Sequence, residues 1–482
     1  MEIDPKIQTH ERPSHENELR RSRSQRARQI TPLEIVPQSS ENLHVVPTHT
    51  DAKAPHSAIE VKGNIAAYSG AYRNTLSLMV FILHILVALA GMGYFGFKGI
   101  QEALKKGNHR FHIERWYPQL GAAAVVGAIS SYLWQWMVLW RPVFVIRRVL
   151  WSSPSLTFIA SLMLISTTNS SSVGLGLVFF LFSIGQALYL CWITARKKYA
   201  TKMLPKALAP ITKFPDLHHS SYWVTLIAFL WIAVWILGVV GAISQNYAAL
   251  SVLGFIVSLA WTMEVLRNIV NVTVSRVVAL FYLRGMHSDT YISLQRAATT
   301  SLGSISLGSF LVSILEALRL LARSLNIAGG NEFMFSCAHC CLGVMESVFR
   351  FGNRWAFVQV ATYSKGFVKS SQDTWDLFRA RGMEPVINQD LTSPICFLSG
   401  VASGALCVIV SGSWTFATHK SLTATVSLLS FLIGYFMTRI TMAVPQACVC
   451  AYYVCFAENP ENREFDNTVP DSIKDFEASP MV

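Results

Sequence analysis

Apolar windows of about twenty residues recur along this chain, and that recurrence limits its architecture more than any motif does. A helix rises about 1.5 Å per residue, so roughly twenty residues cross a hydrocarbon core of about 30 Å. Lipid offers the backbone no water to bond, so such windows close their hydrogen bonds internally as helices. No stretch shows the alternating pattern of a membrane barrel. Composition agrees: 52% of the 482 residues are hydrophobic and 14% are charged, with a mean hydropathy of +0.38. Soluble domains carry about a quarter charged residues. The expected fold is an all-α integral membrane protein, a polytopic bundle of about ten transmembrane helices.

The windows fall at roughly 76–97, 118–140, 149–167, 173–194, 222–243, 248–270, 301–322, 333–363, 394–416 and 422–445, the last continuing as helix toward Phe456. Three regions follow. Residues 1–60 form a polar, proline-scattered tail expected to be disordered and cytosolic, 61–456 a transmembrane transporter domain, and 457–482 an acidic cytosolic tail. No apolar core follows Met1, so the first membrane helix is expected to direct insertion. Within the first tail, "RRSRSQRAR" places five arginines around Ser22 and Ser24. Two readings stay open: a basic membrane-surface patch that phosphorylation of those serines would release, and a solvated linker.

The net charge of +12 would suggest nucleic acid in a soluble protein, but its placement argues against that partner. Residues 1–60 hold eight Lys/Arg and nine Asp/Glu, and 457–482 hold two and seven, so the excess lies between the apolar windows. There it reads as an orientation signal and a contact for anionic headgroups of the lipid bilayer. The loop after the fourth window carries Arg196, Lys197, Lys198, Lys202, Lys206 and Lys213; the loop after the second, Arg141, Arg147 and Arg148; the loop after the eighth, Lys365, Lys369, Arg379 and Arg381. The loops "TTNSSS", "SQNYAA" and "THKSL" carry a single Lys between them. This alternation places both termini in the cytosol, although Lys98, Lys105, Lys106, Arg110 and Arg115 run against it. Asn169-Ser170-Ser171 is a candidate glycosylation sequon in a short outer loop, whereas Asn271-Val272-Thr273 lies in a helical run and is discounted.

Cys337, Cys340 and Cys341 cluster with His339, but no second pair stands at the spacing a four-ligand zinc site needs. They read as a packed or lipid-facing helix surface, and no metal or cofactor is expected. Gly400 with Gly404, and Ser304 with Gly308, are small-residue pairs that let helices approach closely. Gly91, Gly93, Gly96 and Gly99 in the first window read either as close packing or as a transporter gate.

The segment "WTMEVLRNIVNVTV" carries the most informative pattern. Glu264, Asn268, Asn271 and Ser275 recur at helical spacing and share one face, with Arg267 on its flank. A charged side chain at mid-bilayer costs roughly 2.5–3.5 kcal/mol on insertion scales, so it faces a partner helix or a watery path. A path-lining stripe and a structural or interfacial stripe both fit. The apolar run continues to Leu283, about 54 Å of helix, so it must tilt, kink or protrude. Trp231 and Trp235 share a face of the fifth window, and Trp261 precedes the stripe by one turn. Indole faces attract quaternary ammonium groups, and a nearby carboxylate would complete a site for an organic cation; an interfacial belt is the alternative.

Three segments carry a family resemblance: "GNRWAFVQVATYSKGF" (Gly352–Phe367), "SLGSISLGSF" (Ser301–Phe310) and "CFAENPEN" (Cys455–Asn462). They resemble signature segments of the choline transporter-like proteins, of the plant or fungal type, over most of residues 70–465. The family motif Asn-Arg-Asn-Ala-Tyr is matched at Asn353, Arg354 and Ala356, while Trp355 and Phe357 depart from it. The long cysteine-bearing loop of many animal members is replaced by about twenty residues. The resemblance implies about ten helices, cytosolic termini and transport of choline or a related small organic amine or cation, and it names no substrate-binding residues.

Membrane transport is therefore the expected function, placed at the plasma membrane, with Golgi, endosomal or vacuolar membranes as alternatives. A non-transporting role in trafficking and lipid homeostasis is the second reading. A lipid-modifying enzyme is the third, disfavoured because His84 and His339 have no convincing acidic partner in the sequence and no catalytic motif is visible. No phosphate-binding GxxxxGK[ST] loop occurs, which argues against ATP-driven transport.

Overall fold

A computed structural model of the protein describes residues 72–104, 117–167, 169–194, 197–243, 245, 247–328 and 350–478. Every regular element among them is helical. The principal helices are α1 (Thr75–Leu104), α2 (Tyr117–Trp140), α3 (Ser152–Ile165), α4 (Ser170–Trp192), α5 (Lys197–Ala207), α6 (Leu217–Ile243), α7 (Ala248–Arg284), α8 (Thr290–Ala298), α9 (Leu302–Ala328), α10 (Ala356–Tyr363), α11 (Phe367–Ala380), α12 (Thr392–Cys407), α13 (Thr423–Thr441), α14 (Ala443–Glu458) and α15 (Thr468–Ala478). Ser22, Ser24, the Cys337–Cys341 cluster and most of the eighth expected window lie outside the described residues.

Seven helices are long and apolar enough to cross a membrane, or eight if the bent pair α8–α9 is one span. They fall on the first, second, fourth, fifth, sixth, ninth and tenth expected windows. The third window is a shorter apolar helix, Val149–Ile165. The seventh falls on α9, and α8 meets it at a 72° bend just before the window begins. The hydroxyls of Thr299 and Thr300 donate back to the carbonyls of Gln295 and Arg296, the competition by which such residues interrupt a helix. The tenth does not run on unbroken: a turn at Met442 separates α13 from α14.

The long α7 is the hub. It packs against α6, α9, α10, α13 and α14, and it runs without a break through all 37 residues, about 55 Å. The expected excess over one upright crossing is therefore met without a kink. A second layer, α2, α12 and α13, packs through small residues. A Cβ at Gly404 would stand 2.7 Å from the Phe431 ring, and one at Gly308 would stand 2.5 Å from Phe367, so both small-residue pairs are packing devices. In α1, a Cβ at Gly91 would stand 3.5 Å from the Phe255 ring and one at Gly96 3.8 Å from Leu237, both ordinary contact distances.

The C-terminal acidic segment is partly folded. Val469, in the first turn of α15, is fully buried, α15 packs on α5, and Phe465 stacks on Tyr282 with ring centroids 4.8 Å apart.

Candidate functional site

Midway along α7 the polar stripe meets two neighbouring helices. Glu264 is largely buried, and Arg267, one turn further on, places Nη2 2.7 Å from its carboxylate. Arg439 reaches across from the last turn of α13, with Nη2 3.7 Å from the other carboxylate oxygen. The three form a buried charged triad with two cations and one anion. Asn268 is fully buried; its Nδ2 donates to Ser309 Oγ on α9 at 2.9 Å, and its Oδ1 accepts from Arg267 at 3.4 Å. Ser309 in turn donates to the Ile305 carbonyl at 2.8 Å. Asn271 Oδ1 accepts from Ser275 Oγ at 3.2 Å. The stripe thus joins α7 to α9 and α13, and each charge in it has a partner, as low-dielectric surroundings require.

The tryptophans divide. Trp261 lies one turn before Glu264; its ring centroid is 4.6 Å from that of His84 and 5.9 Å from that of Phe310, and its Nε1 donates to the Ser306 carbonyl at 3.4 Å. His84 is itself hydrogen-bonded to Ser258 Oγ at 2.9 Å. Trp235 is fully buried and donates Nε1 to the Phe255 carbonyl at 2.8 Å. Phe255 precedes Glu264 by nine residues, roughly 13 Å along the helix, so Trp235 serves the α6–α7 contact. Trp231 is half-buried against the same core, and its Nε1 meets no acceptor among the described residues. Of the three, Trp261 is the one whose placement accompanies the triad.

Asn169 caps α4: its Oδ1 accepts from Ser171 N at 3.3 Å, and its Nδ2 donates to the Ser421 carbonyl at 3.4 Å. The amide that a glycan would occupy is tied into the turn.

Other polar contacts were not legible as pairs in the sequence. Arg354 is paired with Asp390 at 2.9 Å, both largely buried. Tyr199 and Tyr453 share a hydrogen bond of 2.9 Å, and with Asp390, Thr392 and Val449 they line a cavity of about 10 Å³, room for roughly one water. Glu458 accepts from Gln359 at 2.7 Å and from Tyr363 at 2.6 Å. Asn353 caps the turn before α10 by accepting from Ala356 N at 3.0 Å and donating to the Ser371 carbonyl at 2.9 Å. The three signature segments therefore touch: Gly308 lies against Phe357 and Phe367, and Gln359 and Tyr363 hold Glu458. The departures from the family motif are accommodated. Phe357 is fully buried against Phe367 and has no hydroxyl to satisfy, and Trp355 receives the Arg354 guanidinium 4.7 Å from its ring. Arg439 had a signal, a lone basic residue closing an apolar window, but its reach to Glu264 is tertiary.

Outside the spans, two carboxylates are electrostatically tuned. Burial alone would raise Asp373, but hydrogen bonds from Lys365 and Lys369 hold it below the usual carboxylate range. Burial likewise opposes, and Lys206 and Thr468 outweigh it, at Asp466.

Comparison with known proteins extends these observations. The sequence model of the family described as plasma-membrane choline transporter matches residues 177–461, a stretch that holds Glu264, Arg267, Arg439, Arg354 and Asp390. The chain is 26% identical over 303 residues to a CTL-like protein of Dictyostelium discoideum, covering 60% of this chain and 54% of that protein. It is 31% identical over 224 residues to protein PNS1 of Gibberella zeae, covering 42% of each. It is 26% identical over 326 residues to protein PNS1 of Cryptococcus neoformans, covering 59% of this chain and 58% of the relative. The matches thus span about half the length of the curated relatives.

Proposed function

The chain belongs to the choline transporter-like family, and from that premise we propose that it is a multi-pass carrier of choline or a related organic amine, rather than an enzyme. The observation that carries this reading is the carboxylate of Glu264, held in the middle of a spanning helix by one short and one loose contact. Arg267 makes the short ion pair, at 2.7 Å, and Arg439 the long one, at 3.7 Å. A substrate ammonium competes for the loosely held side. A quaternary ammonium has no N–H to donate, so the face of Trp261, one turn away, supplies the second contact. Asn268 ties α7 to α9, Asn271 bonds Ser275 within α7, Trp235 ties α6 to α7, and Trp231 packs against the core. The proposed setting is the plasma membrane with both termini cytosolic.

One observation favours the second reading, a membrane protein without transport activity: the triad carries one more cation than anion, which disfavours a positive substrate until a guanidinium moves. Radiolabelled choline uptake into liposomes holding the purified full-length chain separates the two. A saturable, protein-dependent influx is expected. Influx no greater than in protein-free liposomes, with the protein folded and inserted, would leave the non-transporting role.

A further inference from the structure

One stretch of the chain carries charge of a single sign. From Arg115 to Pro215 the sequence holds ten Lys/Arg and no Asp or Glu. Two segments separated in sequence bring part of this charge together, because the short helix Pro142–Arg147 packs against α5. Arg141, Arg147 and Arg148 beside the first, and Lys198 and Lys202 on the second, are exposed. The apolar side of α5 is turned inward, with Tyr199, Met203 and Leu204 buried, so its lysines point away from the core. Further along, Lys206 and Lys213 are each held at 2.9 Å, by Asp466 and Glu464 respectively. The five outer cations make no such ion pair among the described residues.

The surroundings say what kind of partner meets this charge. Trp140 and Trp192 are the last residues of the spanning helices α2 and α4, and they are 62% and 61% exposed. Trp151 is also exposed. The Arg141 guanidinium lies 4.7 Å from the Trp140 ring, and Lys197 lies 6.0 Å from that of Trp151. Indoles exposed at the ends of membrane helices sit at headgroup level, and basic side chains at that level meet lipid phosphates. We propose that the face formed by Pro142–Arg147 and α5 is a docking surface for anionic lipid headgroups. The inference stands apart from the transport reading, since it draws on neither Glu264 nor Trp261.

The test uses the full-length protein, delipidated in detergent and titrated with phosphatidylglycerol or phosphatidylcholine, with bound lipid counted by native mass spectrometry. Phosphatidylglycerol is expected to bind at least about a hundredfold tighter. R141Q/R147Q/R148Q should weaken that binding by about fivefold per charge removed. K198Q/K202Q, on the other segment, should weaken it by a similar factor per charge, so the conclusion does not hang on the folding of one variant. K206Q/K213Q, whose cations are engaged by carboxylates, should leave it within about twofold. Equal binding of the two lipids, or wild-type affinity in both outer variants, would overturn the proposal. Displacement of phosphatidylglycerol by glycerol phosphate at comparable concentration would also overturn it, by making a soluble anion the occupant.

Discussion

The middle of α7 and the C-terminal rim both use ion pairs, in opposite surroundings. Glu264, Arg267 and Arg439 have side chains 15%, 6% and 10% exposed, whereas Lys206–Asp466 and Lys213–Glu464 are exposed by roughly two-fifths or more. The contact distances are close, 2.7 Å for Glu264–Arg267 and 2.9 Å for each rim pair, so geometry does not separate them. Solvent does. A pair at the rim loses little when broken because water takes over each charge. A pair in the bundle leaves its survivor stranded in low dielectric. The rim is therefore built to yield, and the middle of α7 is built to hold unless a substitute charge arrives.

The largest effect should come from Arg267→Met. It leaves Glu264 with only the 3.7 Å contact to Arg439, and breaking a buried pair costs about 3–5 kcal/mol. Thermal unfolding in detergent should register the loss, and Glu264→Met in the same chain should restore much of it. A single Arg267→Met protein that melts like wild type would erase the distinction between the two regions.

A smaller loss is expected where α9 meets its neighbours. Gly308→Val drives a methyl group into Phe367 and Phe357, at a cost of about 1–3 kcal/mol for overpacking. Ser309→Ala removes the acceptor of buried Asn268, again at about 1–3 kcal/mol, because the amide then has no water to turn to. Both are read from the same melting curves. If Ser309→Ala is neutral, the stripe does not depend on α9 for its polar satisfaction.

The least effect on global stability belongs to the rim. Lys206→Gln should cost under about 1 kcal/mol, yet it should change local behaviour. Asp466 titrates below its usual range, so its contribution is present above the unfolded-state value near pH 4 and fades as pH falls further. Hydrogen exchange over Thr468–Ala478 should accelerate as pH falls below about 4, after correction for the intrinsic rate, and Lys206→Gln should flatten that dependence. Unchanged protection in that range would mean that the buried Val469, and not the ion pair, holds α15.

How far the sequence led follows from the same contrast. Helical spacing suffices to predict that Glu264, Asn268 and Asn271 share a face, and length with hydropathy suffices for most spans. Neither says what meets the face. Arg439 lies far from Glu264 along the chain, and a window average treats it as a flank of the tenth span. The tryptophans show the same limit: periodicity groups Trp231 with Trp235, but the acceptor that engages Trp235 is a backbone carbonyl on another helix. The 72° bend between α8 and α9 has local causes, in Thr299 and Thr300, and it lies just before the seventh window, so an apolar average over 301–322 says nothing of α8. The C-terminal segment reads as a tail because its acids are counted without the lysines of α5 and the loop after it.

The sharpest test of the α7 reading sets one residue from each region side by side. Choline influx is measured in liposomes carrying equal amounts of wild type, Glu264→Gln and Asp466→Asn. Two opposite unit charges about 4 Å apart attract by about 4 kcal/mol at an effective dielectric of about 20, so the account predicts at least a tenfold loss of apparent affinity for Glu264→Gln and none for Asp466→Asn. Wild-type influx and affinity in Glu264→Gln would contradict it and make the buried triad a purely structural brace.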